Sequence, residues 1–557
     1  MTIQSDNPPQ PLTIRQWRGL NQQSPRASID DNEEWWNENL FAIGPGNLRS
    51  CWGPGPPLFK APTGTQIVRT FFGFYGNQTP PFGSPPPGRM GWMFLDNGDI
   101  AEVDLDTLRV TIIPNVWLPL PPFYWASAKV WRPRFVGNEP GEIGGVLFGS
   151  PLGLFAWDGV TLSGPGDPAP DWLTNFSVTG TGSTTMPTGL PGIYAMEVFQ
   201  ERLWVAGKNV LAWSAPMNGS DFDANDGGGA QGYFGDKLTW TYMDLAASAG
   251  YMYVFGDSST DVISNVQLQG QGTLTSPFVT QFNYSNLDPQ IGHGFPRPVG
   301  RWRRYFNTCN GQQLGQEPFD PGTTPIPDRG AIYVLIGADY QQISAKVTGL
   351  WNSVDITRYY PTFAAATMYG FPVQLLNGRF TYPFGVTRSM ILMWHGREGQ
   401  AQGGFWNVAS QNLELTNIGT YEDNSVLNPY GTDGTYLYRL FFSPDPALPK
   451  RLSTKSYRLD GPSGLTIKQW KRLYMELHDN YGEGIEISGT LRTRGGGIPN
   501  GAEDVNFAMP AGKRQDIVPW PTASAGMEGE LDLISYSPDF TIERIDATFE
   551  ERTLFGA

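Results

Sequence analysis

Between residues 193 and 222 the chain reads IYAMEVFQERLWVAGKNVLAWSAPMNGSDF, in which apolar residues fall at every second position over short runs. The alternation breaks at Gln200-Glu201 and again at Gly207-Lys208-Asn209, and it predicts two short strands joined by a tight turn at the second break. Trp204 and Trp213 then lie on the two arms, where they are close enough to pair across the hairpin. The stretch therefore predicts a small antiparallel unit with an aromatic face.

Units of the same kind recur along most of the chain. Most have a hydrophobic strand, a short turn with Gly beside Asn, Asp or Ser, and a second strand that ends in an aromatic residue. They span residues 67–75, 89–113, 144–160, 251–266, 331–351, 380–406 and 435–442. Radial repetition of small antiparallel sheets protects their edges, so this rhythm predicts an irregular β-propeller. The uneven spacing leaves the number of blades open, with about six as a rough expectation.

The composition favours an all-β fold. Gly and Pro account for 68 and 48 of the 557 residues, and this share of helix breakers argues against long helices. Aromatic residues make up 13% of the chain, which argues against disorder. Short strands joined by many turns satisfy both limits.

We expect three parts along the chain. Residues 1–60 form an N-terminal arm, flexible to about Leu12, with a short helix over residues 30–41 that Ser28 or Asp30 would cap. Residues 61–445 form the propeller. Residues 446–557 carry more charge with clean alternation, and they predict a separate antiparallel β-sandwich after the Pro-rich segment SPDPALPK.

Charge and cysteine content bear on the compartment. A formal net charge of −15 and a pI of about 4.8 make the surface as a whole repel duplex nucleic acid. The start, MTIQSDNPPQP, lacks the basic and apolar regions of a secretory signal, and no apolar run approaches the roughly 18 residues of a membrane span. We therefore expect folding in a reducing cytoplasm. Cys51 and Cys309 allow a long-range disulfide, but two buried thiols are the favoured alternative.

The sequence lacks the usual signatures of catalysis. His293, His395 and His478 are each isolated, and there is no HExxH, zinc-type Cys pair, GxSxG, Walker or GxGxxG motif. The sequence accordingly predicts no catalytic, cofactor-binding or metal-binding residue. Two carboxylates for glycoside hydrolysis could still come from separate loops, because the requirement is a separation in space.

Two local patterns are weak signals. The loop DFDANDG at residues 221–227 alternates acidic and amide oxygens as a calcium loop does, but Asp226 stands where that loop needs Gly, and Gly232 offers no bidentate carboxylate. An ordinary turn is favoured there, with metal binding as the alternative. Trp157-Asp158 is a single Trp-Asp pair without the other marks of a WD repeat.

Two groups of residues stand in a characteristic order. The first is a Gly-x-x-Gln-Gln pattern, then Asp, Asn and Gly-x-Leu-x-Arg, and its residues are Gln22, Gln23, Asp30, Asn39, Leu48 and Arg49. The second lies in the strand pair of residues 193–222, and its residues are Arg202, Leu203, Ser214, Asp221 and Phe222. This order resembles the tail nozzle (tail tubular protein B-like) family of short-tailed bacteriophages, the podoviruses.

The resemblance implies a structural virion protein of the tail that assembles in the cytoplasm of a host bacterium. Such nozzles are hexameric rings of β-propeller subunits that dock to a head-to-tail adaptor ring and to tail fibres or a needle, and that gate and conduct double-stranded DNA during ejection. No enzymatic activity and no cofactor is implied. Six copies would carry a charge of about −90, and carboxylates along a lumen would keep DNA sliding by repulsion.

Two other functions stay open from the sequence. One is a β-propeller glycan hydrolase or depolymerase that acts on host surface polysaccharide. The other is a monomeric or trimeric receptor-binding tail adhesin. Oligomeric state and sugar release separate both alternatives from a hexameric conduit.

Overall fold

The computed structural model describes residues 10–43, 46–74, 88–121, 123–131, 145–164, 192–207, 210–232, 242–257, 259–273, 275–295, 297–302, 305–310, 330–381, 383, 385–397, 400–423, 425–458, 466–495 and 499–553. Over these ranges the structure is almost entirely strand and turn. The exceptions are a 3₁₀ turn, Ala345–Val347, and a short helix, α1 (Thr348–Asn352). No helix in the described ranges is long and apolar enough to cross a membrane.

Five short strands come first in the chain. They are β1 (Gln10–Ile14), β2 (Glu34–Glu38), β3 (Leu40–Ile43), β4 (Asn47–Ser50) and β5 (Pro57–Lys60). Asn39 separates β2 from β3 and has a φ of 58°. Because β2 and β3 belong to different sheets, the chain changes sheet at this residue.

Five four-stranded antiparallel sheets follow, each with its strands in chain order. The first blade is β6 (Ile67–Phe74), β7 (Arg89–Leu95), β8 (Ile100–Asp104) and β9 (Val110–Ile113). The second is β10 (Ser127–Trp131), β11 (Gly145–Ser150), β12 (Gly153–Trp157) and β13 (Leu162–Ser163). The third is β14 (Ala195–Phe199), β15 (Arg202–Ala206), β16 (Val210–Trp213) and β17 (Gly229–Gly232).

The fourth blade is β18 (Tyr242–Ser248), β19 (Tyr251–Gly256), β20 (Thr260–Gln269) and β21 (Val279–Asp288). The fifth is β22 (Gly300–Trp302), β23 (Tyr305–Asn310), β24 (Ala331–Ile336) and β25 (Asp339–Gln342). A further four-stranded unit, the bridging blade, is β26 (Thr362–Met368), β27 (Phe371–Phe380), β28 (Arg388–Arg397) and β29 (Gln400–Ala409). The closing blade has β30 (Asn417–Asp423), β31 (Val426–Thr432) and β32 (Tyr436–Arg439), and β5 is its fourth strand.

Nine strands complete the described part of the chain. They are β33 (Lys450–Thr454), β34 (Tyr457–Arg458), β35 (Thr466–Asp479), β36 (Ile485–Arg494), β37 (Gly501–Met509), β38 (Gln515–Pro521), β39 (Ala525–Gly526), β40 (Glu528–Ser535) and β41 (Phe540–Thr553). One C-terminal sheet has the order β3-β4-β41-β35-β38, with β1 beside β41. The other has the order β2-β33-β40-β36-β37 and continues from β2 into β29 of the bridging blade. A single hydrophobic cluster takes residues from both sheets, so their apolar faces pack together.

The blades form a β-propeller. Their first strands, β6, β10, β14, β18, β22, β26 and β30, are neighbours around one axis, and the ring closes where β30 meets β6. Six blades are separate four-stranded sheets, and the bridging blade completes the ring as part of a ten-stranded sheet. Aromatic side chains fill the spaces between blades, as where Phe94 packs edge to face on Phe148 with ring centroids 5.9 Å apart.

Two expectations for the N-terminal part are wrong. Residues 30–41 form no helix over their length, because Glu34–Glu38 pairs with β33 and Leu40–Ile43 pairs with β4. Residues 10–12 are not a free arm, since they belong to β1, which pairs with β41. The local capping signals are outweighed by strand pairing, of β2 with a segment about 400 residues away and of β3 with its neighbour β4, because the strands also bury Trp36 and Phe41. The expected flexible residues 1–9 lie outside the described ranges.

The hairpin predicted at residues 193–222 is instead part of a four-stranded meander. A two-residue turn at Gln200-Glu201 separates β14 from β15, and both residues have positive φ, 47° and 64°. Turns of this kind usually contain Asn and Gly. The break in alternation at Gln200-Glu201 therefore did not predict a turn between two strands. The predicted cross-strand pair is confirmed, because Trp204 lies opposite Trp213 with ring centroids 5.5 Å apart. Lys208 and Asn209 lie outside the described ranges.

Candidate functional site

A cavity of about 440 Å³ lies on the propeller axis. All seven first strands contribute to its wall, which shows that it is the central channel of the ring. Four of its lining residues are cationic: Arg69, Lys129, Arg297 and Arg301. A chain with only 16% charged residues thus concentrates cations on its axis.

Glu197 anchors one side of this channel. Lys129 Nζ donates to Glu197 Oε2 at 3.1 Å, and Arg301 Nη2 donates to the same oxygen and, at 3.1 Å, to the carbonyl of Leu245. Burial would raise the pKa of Glu197, but the two cations outweigh it and lower that pKa. The three side chains therefore join the second, third and fifth blades as an ion triad.

The ring of blades surrounds Arg301, but part of its side chain remains accessible to solvent. Some 41% of its side-chain surface is accessible, because that surface borders the channel. Asp244 lies near the same cations, and its Oδ2 accepts the backbone N–H of Val299 at 2.8 Å. Burial raises the pKa of Asp244 in spite of Arg301 and Lys129.

Two further arginines hold a loop across the channel. Arg69 Nε donates to the carbonyl of Tyr124 at 2.9 Å, and Arg297 Nη1 donates to the carbonyl of Phe123 at 3.2 Å. Both side chains are almost completely buried. Burial, together with repulsion from Arg297, holds the pKa of Arg69 well below its ordinary value, and burial lowers the pKa of Arg297 to about 10.

Aromatic stacking fixes the same loop on both sides of the ring. Trp125 stacks on Tyr194, at the start of the third blade, with ring centroids 4.1 Å apart. Phe123 stacks on Tyr360, just before the bridging blade, at 6.3 Å. The loop between the first and second blades therefore reaches across one end of the channel.

The first group of predicted residues lies elsewhere, at the junction between the propeller and the C-terminal sheets. Asn39 Nδ2 donates to Ser410 Oγ at 3.0 Å and to the carbonyl of Pro449 at 2.7 Å, while its Oδ1 accepts the N–H of Ser410 at 2.9 Å. Its positive φ lets the chain turn from β2 into β3. One buried amide thus ties the N-terminal segment to the bridging blade and to the linker before β33.

Arg49 makes the second connection at this junction. Its Nε and Nη2 donate to the two carboxylate oxygens of Asp539 at 3.1 and 2.7 Å, a bidentate pair. The guanidinium carbon also lies 4.1 Å from the ring centre of Tyr369, on the bridging blade. Leu48, the neighbour of Arg49, is fully buried in the C-terminal cluster.

The Gly-x-x-Gln-Gln segment packs on the bridging blade. Gly19 has a φ of 82°, and a Cβ there would lie 2.6 Å from the carbonyl oxygen of Trp406, so only glycine fits. Gln22 is buried, and its N–H donates to the carbonyl of Lys346 at 2.7 Å. Gln23 and Asp30 have exposed side chains.

The second group of predicted residues lies inside the third blade. Ser214 Oγ accepts the N–H of Leu203 at 2.9 Å, and Arg202 Nη2 donates to Thr280 Oγ1 of the fourth blade at 3.1 Å. Leu203 and Phe222 belong to one hydrophobic cluster. This cluster is separate from the one that holds Leu48, so the structure does not bring the two groups into one site.

In the loop of residues 221–227, the carboxylates accept hydrogen bonds from the backbone of the loop itself. Asp221 Oδ1 accepts the N–H of Asp223 at 3.0 Å, and Asp223 Oδ1 accepts the N–H of Asn225 at 2.9 Å. Burial raises the pKa of Asp221 to about 6. Within the described ranges no cluster of three or more His, Cys, Asp and Glu residues could hold a metal ion.

The histidines and cysteines lie in separate places. His293 and His395 are buried, and burial lowers their pKa values to about 4 and about 3, so both are neutral at physiological pH. His478 Nδ1 lies 2.9 Å from Asn480 Oδ1. Cys51 and Cys309 are free and buried in different hydrophobic clusters, as the favoured alternative predicted.

Sequence reasoning missed the charged residues of the channel. Arg69, Lys129 and Glu197 are single charges within apolar strands, IVRTFF, SAKVW and AMEVF, and none belongs to a recognisable motif. A charged side chain inside the first, apolar strand of a blade costs free energy unless it faces the axis or a partner. This pattern is the signal that could have found these residues. That signal depends on knowing which strand of each blade is the first.

Comparisons with known proteins support no functional assignment. The sequence matches no protein-family model and no curated protein. Similar solved structures include the WD40 domain of Pan2 from Neurospora crassa, with 10% identity and a TM-score of 0.32 over 63% of this chain and 85% of that one. BBS1N shows 7% identity and a TM-score of 0.39 over 70% of this chain and 97% of that one.

A sialidase from Trypanosoma rangeli is also similar, with 8% identity and a TM-score of 0.23 over 64% of this chain and 91% of that one. TM-scores this low carry no argument about activity. The propeller is established by the strand pairing of this chain.

Proposed function

We propose that this chain is a structural protein of a virion tail. In this proposal it is a nozzle subunit that forms a homohexameric ring, gates and conducts double-stranded DNA during ejection, and docks to an adaptor ring and to tail fibres or a needle. Assembly would take place in the cytoplasm of the host bacterium. The order of motif residues in the sequence is the starting point.

The observation that carries the proposal is the position of Asn39 and Arg49. Both residues belong to that motif order, and both fasten the N-terminal segment between the propeller and the C-terminal sheets. Residues that form such a junction determine the architecture of the subunit and take part in no reaction of their own. A fixed junction of this kind is what a structural protein, whose function depends on its shape, requires.

The shared sheet gives the subunit a fixed form. Because β2 pairs with β29 on one side and with β33 on the other, the propeller and the C-terminal unit cannot hinge freely. We propose that the two C-terminal sheets form a β-sandwich that docks on neighbouring subunits or fibres. Heterologous contacts that close by rotation then produce a ring.

The ion triad at the channel fits a passive role. A general acid for glycoside hydrolysis needs a raised pKa, whereas two cations lower the pKa of Glu197. Its carboxylate therefore acts as a tie between blades. Asp244 is a channel carboxyl whose pKa burial raises, but its Oδ2 is bound to the N–H of Val299, so these contacts give the hydrolase alternative no clear pair of catalytic carboxylates.

Sedimentation and native mass measurement on the full chain test the proposal. We expect six-fold assemblies of the 61.5 kDa subunit and no release of reducing sugar from host capsule. A stable monomer that releases reducing sugar would establish the hydrolase alternative. A monomer or trimer that binds cells without sugar release would favour the adhesin.

A further inference from the structure

The propeller channel has the chemistry of a ligand site that the nozzle function does not use. Its volume of about 440 Å³ is within the range of small-molecule pockets, roughly 300–1,000 Å³. One part of its wall carries the four cations, and another carries the aromatic rings of Phe72, Tyr194 and Phe363. An anion with a small carbon skeleton would meet charge and apolar surface in the same cavity.

Arg297 is the residue that points most directly to an anion. It is 3% exposed, and its contacts in the described chain are the carbonyl of Phe123 and the ring of Tyr360, 5.8 Å away, neither of which neutralises its charge. Its Nε has no hydrogen-bond partner among the described residues. Arg69 lies near enough to repel it. A buried guanidinium in this setting is costly unless an oxyanion shares its donors.

Asp244 and Glu422 line the channel, and Asp244 attracts Arg69, but among the described residues no carboxylate forms an ion pair with Arg297. Glu197 is held by Lys129 and Arg301 on one side, and Asp244 is fixed by the N–H of Val299. On the opposite wall, Thr70 donates to Asn417 Oδ1 at 3.0 Å, which joins the first and closing blades. The channel wall is thus rigid and already formed, and this lowers the entropy cost of binding.

We propose that the axial channel binds a small molecule bearing an oxyanion, a carboxylate or a phosphate, with Arg297 as its principal partner and Arg69 beside it. The planar guanidinium forks match the two oxygens of such a group. The site is independent of the nozzle role, since it lies inside each subunit. A bound anion would also stabilise the loop of Phe123 and Tyr124 through the same two arginines.

The test is a titration of the full chain with inorganic phosphate and, separately, with acetate, at constant ionic strength balanced by chloride. Isothermal calorimetry and the melting temperature are measured together. We expect saturable heat and a melting temperature that rises with the concentration of at least one of the two anions. The anion that binds more tightly identifies the chemistry of the ligand.

Matched variants locate the site. Arg297→Gln should weaken binding at least tenfold, whereas Arg492→Gln, an exposed arginine on β36, should leave it unchanged. If Arg297→Gln does not fold, Arg69→Gln tests the same site, because Arg69 lies beside Arg297 in the channel wall. Heat that does not saturate, or equal affinity in the wild type and in whichever channel variant folds, would overturn the proposal.

Discussion

Glu34 and Glu38 lie four residues apart on β2, and both are fully buried, but their surroundings differ. Arg388 donates to both oxygens of Glu38, at 2.8 and 2.9 Å. Neither carboxylate oxygen of Glu34 has a hydrogen-bond partner among the described residues. Burial raises the pKa of Glu34 to about 8, so this group is protonated at neutral pH.

Glu34 therefore makes stability depend on pH. Its pKa in the fold is above the ordinary value of 4.5, so its stabilising contribution is complete below about pH 4.5 and is lost as the pH rises through about 8. Between those values the free energy of unfolding should fall by about 1.4 kcal/mol per pH unit from this group. Glu34→Gln should remove that slope in chemical denaturation at pH 5, 6, 7 and 8.

Glu38→Gln is the control on the same strand. It should lower the free energy of unfolding by about 3 kcal/mol, because Arg388 loses its bidentate partner. An unchanged pH slope in Glu34→Gln would show that Glu34 is ionised in the fold.

Asn39 combines a positive φ with three hydrogen bonds, and a substitution can separate the two effects. Asn39→Ala should destabilise the protein by about 3 kcal/mol, since it strains the backbone and leaves the N–H of Ser410 unpaired. Asn115→Ala is the matched control, because Asn115 is exposed and has a similar φ of 56°. Equal losses in the two variants, measured by urea denaturation, would mean that the junction hydrogen bonds contribute nothing.

At the scale of the element, ring closure depends on a short N-terminal strand. β5 pairs with β32, so a segment from the start of the chain completes the last blade of the propeller. Phe59 of β5 is buried in the cluster that joins the closing and first blades. Such closure joins the two ends of the ring, and its loss would leave β32 as an open edge.

Two truncations that differ by five residues test this closure. Removing residues 1–55 keeps β5 but removes β1, β2, β3 and β4, so we expect a folded propeller that assembles poorly. Removing residues 1–60 also removes β5, and we expect aggregation and rapid proteolysis of residues 415–440. Limited proteolysis and size-exclusion chromatography compare the two, and identical behaviour would show that β5 does not close the ring.

Much of this element-level structure was predictable. The alternation of apolar residues and the turn residues gave the all-β class, the propeller and the Trp204–Trp213 pair, because these depend on local patterns. The break at Gln200-Glu201 was visible in the sequence but was not interpreted as a turn, because its residues are not typical of turns with positive φ. The role of β5 was missed because its partner is more than 370 residues away, and four residues carry no sign of that pairing.

The candidate sites also divide into features that local residues predict and features that depend on distant partners. The sequence pointed to Asn39 and Arg49 but not to their structural role. That role depends on Pro449 and Asp539, which lie in distant parts of the chain. The sequence offered no sign of the axial cations, because the ring brings together residues from separate blades. Both sites form because the fold brings distant residues together, so residue identity alone does not predict them.

At the scale of the whole molecule, charge is distributed unevenly. The chain has a net charge of −15, yet four of its cations line the propeller axis. Three carboxylates, Asp244, Glu422 and Glu197, lie at or beside the same channel, so nearly all of the net negative charge lies elsewhere in the molecule. In a ring of six copies, surfaces that face a shared lumen would repel DNA and so reduce sticking during passage.

Whether six copies of this chain form a ring decides between this account and its alternatives, and electron microscopy of the purified full chain answers that question. Class averages are predicted to show six-fold rings with a central hole wide enough for duplex DNA. Particles that are isolated single propellers at every concentration, with no passage shared among copies, would contradict the account.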